Sequence, residues 1–291
     1  MTLPIVLAAL AAVIIWGASP VATKIAVSGL PALDVSLLRT VLGGLAALPL
    51  ALLMRIPLPA GWPERRVLAT SAIVGFVIYP VALTYGVQAT SANHASLILA
   101  SLPVFTGAIA QAWDRRWPKG QWWAGCAVAL AGEAVLILGR SGPSSHGASL
   151  EGDMIVLVSN TLASFGYVAG GRLQAAGYQS AGTTFWGVTI AALLLVPVLP
   201  FALATNSWPA APVESWIALG YQAIMVTIVG YMLWYWALGR GGIARMGLFQ
   251  FLQPVSGVLL ASLLLAEPLT WTLGAAAALI LGGVFVAARA R

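Results

Sequence analysis

Amide, hydroxyl and indole side chains recur at helical spacing inside otherwise apolar stretches of this chain. Asn160, Ser164 and Tyr167 stand at i, i+4 and i+7, positions that share one face of a helix. Met246, Gln250, Gln253 and Gly257 follow the same rule, as do Thr227, Tyr231 and Trp234. His94 and Ser101 are seven residues apart, and Tyr79 precedes Gly86 by seven. Trp16, Ser19 and Thr23 form a further set near the start. Polar groups in membrane-spanning segments are expensive and face one another or a cavity. The amides of Asn160 and Gln250 are the strongest cases, because an unpaired amide in hydrocarbon is costly. Ser and Thr hydroxyls have a ready alternative, a bond to their own backbone, and His94 sits near a span end where it could meet interfacial water. The candidate substrate contacts are therefore Trp16, Tyr79, His94, Ser101, Asn160, Ser164, Tyr167, Tyr231, Trp234, Gln250 and Gln253. Such groups bind a small solute through hydrogen bonds and ring faces.

They do not make a catalytic set. H-E-x-x-H, G-x-S-x-G, a pair of deep aspartates and G-x-x-x-x-G-K-[ST] are all absent, so neither enzyme chemistry nor ATP binding is expected. No cofactor and no metal is expected. The pI is about 9.9, yet no run of five basic residues exists, which argues against a nucleic-acid partner. A proton-for-cation pump would want a carboxylate in its first helix, and this chain has none there. The expected partner is a small neutral or zwitterionic metabolite, with deep aromatics favouring an amino acid of large apolar side chain. The expected surroundings are membrane lipid, the oligomeric state stays open, and a channel or scaffold is the alternative class.

Three charged residues fall within spans or at their ends. Lys24 could snorkel, bond helix-end carbonyls or gate a cavity. Arg39 could pair with Asp34 or reach a headgroup. Glu133 fits a packing or dimer-contact role better than proton coupling.

The elements that carry these residues follow from composition. The 291-residue chain is 60% hydrophobic and 8% charged, far below the roughly 25% charge of soluble domains. It reads as an all-α polytopic membrane protein. Apolar runs near 20 residues give ten spans, at 3–26, 34–54, 67–86, 93–113, 121–139, 152–173, 182–203, 214–238, 243–265 and 270–288. Two halves of five helices follow, residues 1–140 and 152–291. In that layout eleven basic residues fall on one side: Arg55, Arg65, Arg66, Arg115, Arg116, Lys119, Arg172, Arg240, Arg245, Arg289 and Arg291. Arg140 alone falls opposite. The bias predicts a cytoplasmic (inner) membrane protein with both termini in the cytoplasm. Trp62, Trp113, Trp117, Trp122, Trp123, Trp208 and Trp216 sit at span ends as interfacial anchors, and Cys126 reads as a packing residue.

The halves echo each other. Tyr85 to Trp113 holds a turn, Gly86–Asn93, and then an apolar run with Pro103 at its middle. From Trp236 the chain repeats this with Gly239–Gly242 and Pro254. A shift of 151 maps Tyr85 on Trp236 and Pro103 on Pro254, while a shift of 148 maps Lys24 on Arg172. A repeat with an odd number of spans must sit inverted against its twin, which predicts a site at mid-membrane. Pro103 and Pro254 each remove a backbone hydrogen bond and read, with Lys24, as gating residues. Gly107 and Gly257 leave the bends unfilled.

Trp16-Gly17-Ala18-Ser19-Pro20-Val21-Ala22-Thr23-Lys24, followed by Pro31 and Arg39, resembles the EamA-type branch of the drug/metabolite transporter superfamily. Gln253-Pro254-Val255, Leu265-Ala266-Glu267-Pro268-Leu269, Gly274 and Gly282-Gly283-Val284 extend the resemblance over essentially the whole chain. It implies ten helices in two inverted repeats and a cavity formed mostly by helices 1, 3, 4, 6, 8 and 9. It also implies export of amino acids or other metabolites by a secondary transporter. Within the branch the chain looks most like the YddG-type exporters of aromatic amino acids. It departs from the pattern in two places. Arg116 stands near the first-half counterpart of Glu267, and Phe165-Gly166 replaces the Trp-Gly pair in the second half. Glu267 is accordingly carried over as a structural residue.

Overall fold

The computed structural model describes residues 2–115, 117–139, 147–204, 210–241, 249–250 and 252–289. Arg116, Arg140, Trp208, Arg245, Met246 and Arg291, named above, lie outside them. Long runs of Leu, Ala, Val and Ile must satisfy their backbone groups internally in lipid, and they do so as helices. These are α1 (Leu3–Gly29), α2 (Ala32–Leu53), α3 (Trp62–Ala89), α4 (Ala92–Asp114), α5 (Gly120–Leu138), α6 (Leu150–Ala175), α7 (Ser180–Leu195), α8 (Val213–Trp234, helical on to Gly241), α9 (Leu252–Leu265) and α10 (Trp271–Arg289). Seven of them, all but α7, α9 and α10, are long and apolar enough to cross a membrane. The three shorter ones lie where spans were expected.

The prolines act differently from a kink in a continuous helix. α4 is two helical segments, Ala92–Leu99 and Leu102–Asp114, and Pro103 lies in the first turn of the second. Pro254 likewise falls in the first turn of α9. A first-turn N–H has no intrahelical partner, so proline costs nothing there. Pro103 marks a restart of the helix, and Pro254 stands at the described start of α9. α1 restarts too, after Gly17, with Pro20 in the first turn of Ser19–Gly29. The turn expected at Gly86–Asn93 shrinks to Thr90–Ser91, because α3 stays helical through Gly86 to Ala89. Gly239–Gly241 is also helical.

Two wide-turn, π-helical stretches interrupt α3 and α8, at Ile73–Ile78 and Tyr221–Val229. Their starts are 148 residues apart (221 − 73). The packing pairs repeat as well. Advancing every helix by five turns α1·α8 into α6·α3 and α1·α9 into α6·α4, and leaves α2·α7, α4·α9 and α5·α10 unchanged. The α5·α10 contact brings backbones together, since a Cβ at Gly125 would lie 2.4 Å from the Ala287 nitrogen. Small residues permit such close approach.

Contacts sort the connections into two ends. At one end Arg172 pairs with Asp114, and the Tyr178 hydroxyl donates to the Pro57 carbonyl at 2.9 Å. At the other, Ser149 Oγ donates to Ala89 O at 2.6 Å and Ser215 Oγ to Ile25 O at 3.0 Å. Trp62, Trp113, Trp117 and Trp123 are exposed at span ends. Trp122 is not an anchor: it is buried in a core cluster with Cys126. A Cβ at Gly107 would lie 3.1 Å from the Trp122 ring, so this glycine makes room for the indole.

Candidate substrate-binding site

A cavity of about 510 Å³ lies among α1, α2, α3, α4, α6, α7, α8 and the start of α9. Its wall includes Trp16, Tyr79, Tyr167, Tyr231, Trp234, Gln250, Gln253, Pro103 and Pro254 from the residues singled out in the sequence. The wall reaches Gln174, Thr183 and Gln250 at the end that carries the Arg172–Asp114 pair.

The α1 restart and the first turns of α9 lie side by side at this space. A Cβ at Gly17 would lie 2.6 Å from Gln253 O, and one at Gly257 would lie 2.9 Å from Gly17 O. The α1 break therefore meets α9 backbone to backbone, which only glycine allows. Trp16, next to this contact, donates from Nε1 to Val226 O at 3.1 Å, in the π-helical stretch of α8. That bond fixes the indole against Tyr231, with ring centres 5.0 Å apart and edge-on, and against Trp234 at 5.6 Å. Tyr231 continues the wall across the cavity, its hydroxyl 3.3 Å from that of Tyr167. The result is an aromatic surface with polar tips, suited to a flat or branched apolar group.

Five of the sequence candidates lie outside this wall, each for a visible reason. Asn160 is fully buried, and its Nδ2 donates to Ile98 O and to Ser101 Oγ, both at 3.0 Å. Ser101 Oγ itself donates to Ile98 O at 2.8 Å, and Ser164 Oγ to Asn160 O at 2.9 Å. Asn160, Ser101 and Ser164 thus close the break in α4 by bonding one another and the backbone. His94 meets the Asp153 carboxylate at 3.0 Å, and Thr90 Oγ1 donates to the same carboxylate at 2.5 Å. Lys24 Nζ donates to Val87 O, Gln88 O and Thr90 O at 3.1, 3.0 and 2.5 Å, the helix-end alternative among its readings.

These last contacts form a plug. The Glu267 carboxylate accepts from the backbone N–H groups of Ala92 and Asn93 at 2.7 and 2.8 Å, the structural role expected of it. Lys24 thus ties off the C-terminus of α3 while Glu267 ties off the N-terminus of α4. Each charge sits at the helix end whose dipole it complements. The Thr90–Ser91 connection is held from α1, α6 and the α9–α10 link at once, and it seals the end opposite Gln174.

Gln222 has no place in the sequence reading, and Arg39 lies elsewhere than expected. Gln222 is fully buried, its Nε2 donating to Ser19 O at 2.6 Å and to Thr23 Oγ1 at 2.7 Å. It braces the α1 restart as Asn160 braces that of α4. Arg39 is the more consequential. It lines the cavity at 7% exposure. Glu133 is buried inside the chain, with neither carboxylate oxygen hydrogen-bonded, which removes the dimer-contact reading.

The model of the EamA-like transporter family matches residues 3–138 and again residues 150–289. The chain belongs to the EamA-like transporter family. Among curated relatives, the "Uncharacterized transporter YdeK" of Bacillus subtilis is 29% identical over 266 residues, covering 90% of this chain and 88% of that protein. A "Probable amino-acid metabolite efflux pump" of Salmonella typhimurium is 28% identical, covering 96% and 92%. A "Probable terminal-alkyne amino-acid exporter" of Streptantibioticus cattleyicolor is 25% identical, covering 88% and 83%. A solved crystal structure, 19% identical and covering 97% of each chain, superposes with a TM-score of 0.64, which establishes a shared fold. The protein is a multi-pass, all-helical membrane transporter of the drug/metabolite superfamily.

Proposed function

We propose that this EamA-family protein exports small neutral or zwitterionic metabolites by alternating access, with amino acids of large apolar or aromatic side chain as the leading cargo. The observation that carries the reading is the cavity of about 510 Å³, walled by Trp16, Tyr231 and Trp234 together with Gln250 and Gln253. It is of a size suited to such a ligand. Relatives named as amino-acid metabolite efflux pumps and an amino-acid exporter support the substrate class.

In this reading the two halves, 1–140 and 152–291, are inverted repeats giving ten spans, with both termini in the cytoplasm of the cell whose inner membrane holds them. The sealed Thr90 end then faces outward, and the form described here is open to the cytoplasm. Pro103, Pro254 and Lys24 serve as gating elements, Pro103 where α4 restarts, Pro254 in the first turn of α9 and Lys24 in the plug. The repeated packing pairs and the twin π-helical stretches support the repeat.

The test is uptake into proteoliposomes of labelled phenylalanine, tryptophan, threonine and a lipophilic cation. The amino acids rank above the cation, with the two aromatic ones first. Strict preference for the cation would make the protein a drug exporter of the same fold. Single cysteines at Gly120 and Gly147 in a Cys126→Ala background label from opposite faces; labelling from one face would reject the inverted arrangement.

A further inference from the structure

Among the described residues of the cavity wall, Arg39 is the one charged side chain and none is a carboxylate. It lies in the first half of α2, and at 7% exposure is more than nine-tenths buried. Nη1 is buried without a hydrogen-bond partner, and among the described residues the guanidinium makes no ion pair. The phenolic groups of Tyr79, Tyr231 and Tyr167 lie near enough to interact with it. Tyr231 is also the ring that packs edge-on against Trp16. The cation and the aromatic wall therefore share one space.

An uncompensated guanidinium inside a membrane-embedded bundle is unfavourable until an anion reaches it. Its planar fork matches a carboxylate, to which it donates two parallel hydrogen bonds. We propose that Arg39 is the carboxylate-binding residue of this transporter and that the substrate class is a small monocarboxylate with an apolar body, whose amino group is dispensable. The inference rests on reading this cavity as the transport site. Tyrosine hydroxyls complete the anion site, and Trp16, Tyr231 and Trp234 receive the apolar body. An α-ammonium group meets no carboxylate in the wall. It finds only ring faces and neutral oxygens, which favour a cation weakly.

The experiment is ligand binding to the purified full-length protein, followed by quenching of intrinsic tryptophan fluorescence. The probes are phenylalanine, 3-phenylpropionate, 3-phenylpropanamide and phenethylamine. Phenylalanine and 3-phenylpropionate bind within about threefold of each other, and the amide and the amine bind at least about tenfold more weakly, the scale of a lost charge-assisted pair. In Arg39→Gln the ratio of acid to amide collapses to about one, whereas Arg39→Lys retains part of it. The wild-type ratio stands as a test even where a variant folds poorly. Equal binding of acid and amide by the wild type, a ratio that survives in Arg39→Gln, or no binding of either acid would overturn the proposal. Phenylalanine counterflow reports separately on export. Acid-selective binding without counterflow upholds Arg39 and rejects export of amino acids. Counterflow that accepts the amide as readily as the acid does the reverse.

Discussion

Asn160 Nδ2 on α6 donates to the carbonyl oxygen of Ile98 on α4 at 3.0 Å, at the point where α4 stops and restarts. The same amide reaches Ser101 Oγ at 3.0 Å. One side chain thereby satisfies backbone that the break would leave bare in a membrane interior.

Removing that donor acts on stability and spares the cavity. Asn160→Ala lowers stability by about 1–2 kcal/mol, the scale of an unsatisfied buried group, seen as a melting temperature a few degrees lower in detergent. Phenylalanine affinity stays within about twofold. Weakened binding at an unchanged melting temperature would instead put Asn160 in contact with substrate.

Lys24 and the Thr90 plug give a second prediction. Lys24→Met strands the carbonyls of Val87, Gln88 and Thr90, so the sealed end opens more often. A cysteine at Ser96, in the cavity wall, then reacts several-fold faster with a membrane-impermeant reagent added at the Thr90 end, in a Cys126→Ala background. Unchanged reactivity would confine Lys24 to a static cap.

Much of this was legible in the sequence, and the failures share a cause. Span positions follow from apolar length, and Trp16, Tyr231 and Trp234 reached the wall because large rings fit few other places in a tight bundle. Spacing alone could not say which way a helix is turned. Arg39 reads from sequence as a partner for Asp34 or a headgroup, whereas the packing of α2 against α7 and α8 places it in the cavity wall. Asn160, Ser101 and Ser164 were legible as a polar set, yet they serve one another because the α4 break supplies carbonyls closer than any ligand. The π-helical stretches at Ile73–Ile78 and Tyr221–Val229 shift the facing of whatever follows them, and no sequence signal marks them. Pro103 stands at a break in α4, and its place there depends on where Ala92–Leu99 ends.

That place sharpens the hinge prediction. An alanine at 103 or 254 supplies the N–H that proline lacks, so the broken helix gains a route to continuity. Pro103→Ala and Pro254→Ala slow exchange of labelled substrate by about threefold or more while leaving expression and binding near wild type. Normal exchange in both variants, at matched incorporation, would leave the prolines as packing features.

The central claim is that this cavity carries an apolar-bodied amino acid across the membrane. Counterflow of labelled phenylalanine, compared between wild type and Trp16→Ala in matched proteoliposomes, tests it most directly. Wild type produces a transient overshoot, and Trp16→Ala needs at least about tenfold more substrate to reach half of it, consistent with loss of a buried ring contact. No overshoot in wild type, or identical curves for the two proteins, would contradict the account.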